Sequence, residues 1–293
     1  MIKDTTLWTA LITPMKEDGS IDFKTLEHLI RTQEKAGNGI LLIGSTGEGL
    51  ALTENEKRDV VEYSSSLNPT VPLMVGVGGM NTDIQESWIQ HCNSLQIDAF
   101  LLVTPLYAKP GPKGQNAWFQ RLLDASDKPC MIYNIPSRTG IDLPTDVVRS
   151  LEEHPNFWSI KEASGKLSVY QQYRRTAPGI PLFSGDDALL AFFKPAGCAG
   201  LVSVAANVWP EATALYVEKC LSGETKSLFP LWNRAVGALF SASNPIPVKR
   251  LLHHKGEIQT PELRLPLVKE ELSDLAELKA IDKEIETWYK NNT

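Results

Sequence analysis

The sequence predicts an α/β protein of the (β/α)8 TIM-barrel class with a C-terminal helical extension. Short apolar runs alternate with segments of helical length through the first two-thirds of the chain, and the runs number eight. After Val208 the alternation stops and the remaining segments look helical. The runs fall at 7–13, 40–44, 73–78, 99–104, 130–134, 158–161, 182–185 and 200–204. Most are solidly apolar rather than alternating, as expected of parallel strands buried on both faces. A doubly wound open sheet gives the same alternation, and the count of eight favours the closed barrel.

The segments between the runs carry helix signals. Leu26, Leu29 and Ile30 form one apolar stripe, closed by Gly37. Thr53 and Glu56 make a capping box ahead of Val60 and Val61, so a helix begins there. Asn81 or Thr82 caps the next one. Beyond Val208, segments 210–221, 224–241 and 267–290 read as helices joined by turns containing proline and glycine, with Pro245 and Pro247 interrupting the middle. The expected division is a catalytic barrel over 1–222 and a helical extension over 223–293.

Composition narrows the function classes. The 293 residues are 42% hydrophobic and 22% charged, enough for one large core, and the formal charge of −6 argues against a nucleic-acid partner. Cys92, Cys130, Cys198 and Cys220 are scattered, with no C-x-x-C pair or zinc spacing, and read as reduced core thiols. The apolar run at the N-terminus is short and closed by Pro14, with Asp4 where a signal peptide would be positive. No apolar run approaches the roughly 20 residues that span a bilayer. A cytoplasmic protein without membrane association is expected.

In a barrel, chemistry gathers at the C-terminal ends of the strands. The second run ends in Gly44-Ser45-Thr46-Gly47-Glu48-Gly49, the fourth in Thr104-Pro105-Leu106-Tyr107 and the fifth in Tyr133-Asn134-Ile135-Pro136-Ser137-Arg138. The sixth ends in Ile160-Lys161-Glu162-Ala163 and the seventh in Ser184-Gly185-Asp186-Asp187. Lys161 is the central candidate. At the end of an apolar strand desolvation lowers its pKa, and a neutral amine attacks a ketone to form an imine. The bland alternative is a rim lysine paired with Glu162. Tyr133 could shuttle protons at the imine, and Thr46 and Tyr107 could extend a chain of hydroxyls. Backbone N–H groups of the Ser45-Thr46 turn could hold a carboxylate, and Arg138 could hold a second one through its planar fork. Gly76-Val77-Gly78-Gly79 completes no nucleotide-binding pattern. Asp186 and Asp187 read as caps at a helix start rather than metal ligands, and the five histidines show no ligand spacing. No metal is expected.

Together these residues resemble the dihydrodipicolinate synthase/N-acetylneuraminate lyase family. The resemblance runs from Thr13-Pro14 through the segments above to Asn244-Pro245-Ile246-Pro247-Val248-Lys249 and Arg264-Leu265-Pro266. It implies a Schiff-base lysine at Lys161 and a proton-relaying Tyr133. Thr46 and Tyr107 would complete the relay, Tyr107 being lent by a neighbouring subunit. Ser45 and Thr46 would hold the pyruvate carboxylate, and Gly185 and Val202 would line the pocket. Arg138 matches the arginine with which the synthases of the family hold the carboxylate of L-aspartate 4-semialdehyde, which sugar-acid lyases usually lack. Ser45 departs from the Thr-Thr typical of those synthases and is common among the lyases. The implied reaction is condensation of pyruvate with L-aspartate 4-semialdehyde toward lysine and diaminopimelate, with cleavage of N-acetylneuraminate or a 2-keto-3-deoxy sugar acid as the alternative. No cofactor is needed, because the imine is the electron sink. A homodimer or a dimer of dimers is expected. The resemblance further implies a lysine-binding cleft, whose positions here read Gly49, Leu50, Glu54, Lys57, Asn81, Gln85 and Leu106. Only Asn81 keeps the usual residue, so feedback by lysine should be weak.

Overall fold

The structure, a computed structural model, describes residues 2–225 and 228–293. Eight parallel strands close into a barrel in sequence order, β1 pairing with β8. They are β1 (Leu7–Ala10), β2 (Gly39–Leu42), β3 (Leu73–Val77), β4 (Ala99–Val103), β5 (Cys130–Asn134), β6 (Phe157–Glu162), β7 (Leu182–Ser184) and β8 (Gly200–Ser203). Each lies within or one residue beyond its apolar run. The strands are apolar throughout because both faces are covered. Outward side chains such as Ile40, Val75, Phe100 and Ile132 meet the helices. Inward ones, among them Trp8, Leu41, Met74, Leu101, Met131, Phe183 and Val202, fill the interior.

The helix starts follow their sequence signals. Thr53 accepts from the Glu56 amide while the Glu56 side chain returns to Thr53, completing the capping box of helix Glu54–Ser66. Asn81 accepts from the Ile84 amide at the start of helix Thr82–Asn93. Gly37 closes helix Phe23–Ala36 in the left-handed conformation.

The region after β8 differs from expectation at two points. Helix Leu228–Leu239 covers most of the expected 224–241, while positions 226 and 227 lie outside the described residues. The prolines read as an interruption instead open a helix, Ile246–Lys255. Pro247 sits in its first turn, where the missing N–H needs no partner. Only the short turn Lys269–Glu271 and helix Ala276–Lys290 are helical within 267–290.

One irregularity in the barrel controls which residues face inward. Cys130 pairs with Phe157, but the next residue, Met131, pairs with Ser159, so Trp158 is an extra residue in β6. Phe157 and Ile160 both face the helices although they are three positions apart, a spacing that puts residues of a regular strand on opposite faces. Trp158 turns inward against Trp8 and Phe183, with ring centroids 6.1 and 5.6 Å away. Beyond the bulge, Lys161 points into the barrel and Glu162 points out.

Candidate active site

Lys161 and Tyr133 are register partners on adjacent strands. Both are buried, and the Lys161 Nζ lies 4.1 Å from the centroid of the Tyr133 ring. No carboxylate lies within ion-pair distance of Lys161 among the described residues. Desolvation pulls its pKa down to about 7, against a smaller upward pull from Asp187, with Arg138 adding to the depression. Burial pushes the Tyr133 phenol up to about 12, so it stays protonated near neutrality. The pairing of Lys161 with Glu162 does not occur. Glu162 faces outward, accepting from Asn134 Nδ2 at 2.7 Å and from the Ser164 amide at 2.6 Å. Asn134 Oδ1 accepts in turn from the Leu143 amide at 2.9 Å. This outward lattice fixes β5 to β6 directly behind the two inward side chains.

Gly185 gives Lys161 its space. A Cβ at that position would sit 2.8 Å from Lys161 Cε and 2.7 Å from the Ala163 Cβ. Its amide donates to the Glu162 carbonyl at 2.8 Å, so the backbone of the β7 end passes close beside the lysine. Of the adjacent aspartates, Asp186 caps the short turn that follows it, as expected. Asp187 is fully buried and does something else. Its carboxylate accepts from Ser203 Oγ and from the amides of Val204 and Ala205 at 3.0 and 3.2 Å, joining the end of β7 to the end of β8.

A cavity of about 550 Å³ opens above Lys161. Ser45, Thr46, Tyr133, Arg138 and Gly185 form its walls, and Val236, Gly237 and Phe240, on or just after helix Leu228–Leu239, form its roof with Asn244. The helical extension thus contributes to the site, which the sequence pattern did not reveal. Val202, expected in the wall, is fully buried among Tyr133 and Phe183 in the barrel interior, and the β8-end residue in the wall is Val204. Arg138 is exposed at the mouth, on the short turn Pro136–Thr139, and no carboxylate pairs with it among the described residues.

The two hydroxyls after β2 have different surroundings. Thr46 is buried, and its Oγ1 accepts from Asn244 Nδ2 at 2.9 Å. Ser45 is exposed and lines both the Lys161 cavity and a neighbouring cleft of about 960 Å³ that holds Tyr107 and Tyr133. Ser45, not Thr46, is therefore the hydroxyl at the junction of the two spaces. Tyr107 is 87% exposed with φ +61°, directed away from its own barrel core. Gly49, Leu50, Glu54, Lys57, Gln85 and Leu106 line the same cleft, and Lys57 pairs with Glu54 at 2.8 Å. Asn81 is occupied as a helix cap. All four cysteines are buried and free.

Comparison with known proteins identifies the family. The model of the dihydrodipicolinate synthetase family matches residues 3–285. The chain belongs to this family. It is 46% identical over 286 residues to the 4-hydroxy-tetrahydrodipicolinate synthase of Francisella philomiragia, covering 97% of each chain. The 4-hydroxy-tetrahydrodipicolinate synthase of the methanotroph Methylacidiphilum fumariolicum SolV superposes with a TM-score of 0.92 at 31% identity, covering 98% of each chain. A chloride-inhibited dihydrodipicolinate synthase from Acinetobacter baumannii, solved in complex with pyruvate, superposes with a TM-score of 0.87 at 31% identity, covering 97% of this chain and 98% of that one. No helix among the described residues is long and apolar enough to cross a membrane.

Proposed function

We propose that this enzyme condenses pyruvate with L-aspartate 4-semialdehyde to 4-hydroxy-tetrahydrodipicolinate through an imine on Lys161. The observation that carries the reading is the buried, carboxylate-free Lys161 amine beneath the Tyr133 ring, in a cavity with Arg138 at its mouth. With a pKa drawn down to about 7, a large fraction of Lys161 is neutral at physiological pH and its lone pair attacks the pyruvate ketone. The carbinolamine loses water to give the imine, and a proton leaves the methyl group to give the enamine. The enamine carbon attacks the aldehyde. The amine of the new chain then attacks the imine carbon, closes the ring and releases Lys161. Tyr133 is the proton carrier, a phenol kept protonated and held against the reacting nitrogen. Ser45 links it toward the cleft. The backbone of Ser45 and Thr46 holds the pyruvate carboxylate, and Arg138 the carboxylate of the aldehyde.

The reading includes a second copy of the chain. Tyr107, Leu50, Met80 and Ile84 are large exposed side chains on or beside the loops that follow β2, β3 and β4. In a homodimer across this face, alone or doubled into a tetramer, Tyr107 would close the relay in its neighbour. The enzyme would work in the cytoplasm.

A coupled assay with pyruvate and either L-aspartate 4-semialdehyde or N-acetylmannosamine tests the reaction. Activity with the semialdehyde is expected, and efficient turnover of the sugar instead would give the site to the lyase reading. Mixing Tyr107→Phe with Lys161→Ala subunits tests the shared site. Altered activity per intact Lys161 is expected, and a fully active monomer would remove the partner from the mechanism.

A further inference from the structure

The turn that carries Ser45 and Thr46 adopts a backbone that residues with side chains rarely hold. Ile43 has φ +59° and Glu48 has φ +55°, and Ile43 is β-branched. The Ile43 carbonyl crowds β3 so closely that a Cβ on Gly76 would lie 2.6 Å from it. Such a conformation persists only where its surroundings over-determine it. Part of the restraint is local: the amides of Glu48 and Gly49 donate to Ser45 and Gly44 carbonyls at 3.2 and 3.1 Å. Thr13 Oγ1 adds a bond to the Gly47 carbonyl at 2.7 Å.

The side chains of the turn, however, reach about two hundred residues along the chain. Glu48 and Lys249 are both buried and meet at 2.5 Å. Lys249 Nζ also donates to the Glu262 carbonyl at 2.8 Å, and Glu48 Oε2 accepts from the Arg264 amide at 2.8 Å. Asn244, two residues before helix Ile246–Lys255, donates to Thr46. Residues 244–264 therefore grip the turn from behind at two side chains, Thr46 and Glu48. A buried ion pair is weak evidence of stability, since apolar residues of similar volume often serve as well, and a role in fixing geometry is the better account of one behind a substrate-facing turn.

We infer that Glu48 and Lys249 are positioning residues that hold the Ser45–Thr46 turn in the conformation that receives the carboxylate of the keto acid. The inference rests on the reading of Lys161 as the imine-forming lysine, because it is this turn, across the cavity from Lys161, that would orient the keto acid. Arg138 stands on β5's turn, outside the grip, so the second substrate should not feel its loss.

The test is the double variant Glu48→Gln/Lys249→Met, which removes both charges together and leaves neither buried alone. Its KM for pyruvate is expected to rise on the order of tenfold or more, with the KM for the aldehyde and the kcat at saturating pyruvate changed by less than about threefold. A folded double variant with the wild-type pyruvate KM would overturn the inference, as would an equal rise in both KM values, which a merely structural role predicts. Hydrogen exchange on the wild-type enzyme is a second measurement that needs no variant to fold. The Glu48 and Gly49 amides should open together with helix Ile246–Lys255, and exchange of those amides well ahead of the helix would overturn it. A wild-type enzyme that traps no pyruvate on Lys161 would fail the reading beneath. Normal trapping with an unaltered double variant would fail this inference alone.

Discussion

Lys161 and Lys249 are both buried, and desolvation depresses both, yet their surroundings differ in the partner each is given. Lys249 meets Glu48 at 2.5 Å and a backbone carbonyl at 2.8 Å, so its three donors are largely spoken for. Lys161 meets the face of a tyrosine ring and an open cavity. Burial alone does not make a nucleophile. A lysine becomes one when it is buried without a carboxylate and with room for a carbonyl beside it.

The largest effect that could break this contrast is covalent. Borohydride reduction in the presence of pyruvate is expected to add one reduced adduct per chain on Lys161 and none on Lys249, read by peptide mass. Lys161→Ala and Lys161→Arg should lose both adduct and activity, since a guanidinium is not a usable nucleophile. An adduct that survives in Lys161→Ala would end the assignment. Because neutral Lys161 is the reactive form, trapping should accelerate as pH rises through about 7.

Stability should move in opposite directions at the two lysines. The folded pKa of Lys161 lies below its ordinary value of 10.5, so its burial is a penalty, complete below about pH 7 and fading as pH rises toward 10.5. At neutral pH the penalty is roughly 4 kcal/mol. Lys161→Met should therefore raise Tm by about 5 °C or more. Lys249→Met alone strands the Glu48 carboxylate and should cost about 3–5 kcal/mol. Equal Tm shifts of the same sign in calorimetry would erase the distinction.

Arg138→Ala sharpens the contrast from the substrate side. It should reduce kcat/KM for the semialdehyde by about 10- to 150-fold, the loss of a charge-assisted pair, while imine trapping with pyruvate continues. Full activity with the semialdehyde would remove Arg138 from substrate binding. The smallest expected effect is feedback. Gln85 and Leu106 offer the cleft no carboxylate and no phenol, and Glu54 is already paired with Lys57. Lysine titrated into the millimolar range should leave the initial rate nearly unchanged, and strong inhibition below that range would show a cleft rebuilt from other residues.

The barrel was legible because each strand is apolar on both faces, and Lys161 and Tyr133 were legible because each ends such a strand. Pairings between distant segments were not. Glu48 and Lys249 look like surface residues in sequence, and nothing local announces that they meet. Pro245 and Pro247 read as breakers because proline's missing N–H is harmful inside a helix and harmless in its first turn, and only the structure says which applies. Ser45 and Thr46 are chemically alike and adjacent. Their difference lies in burial and in Asn244, which donates to the buried Thr46 hydroxyl while Ser45 stands exposed. Asp187 was read as a cap at its own helix start, whereas its partners stand at and just beyond the end of the next strand.

The extra residue at Trp158 makes the orientation of the site a matter of counting. Side chains along a strand alternate, so whether a residue faces in or out depends on whether an even or odd number of residues precedes it from the last fixed point. Phe157 is anchored outside, and the bulge advances the count by one before Lys161 is reached. Were Trp158 kept but paired as an ordinary ladder residue, with no bulge, Glu162 would turn into the barrel and Lys161 out among the helices, with every chemical group still present in the chain. The polarity of this centre, amine inside and carboxylate outside, is stored in the bulge of β6 as much as in its composition.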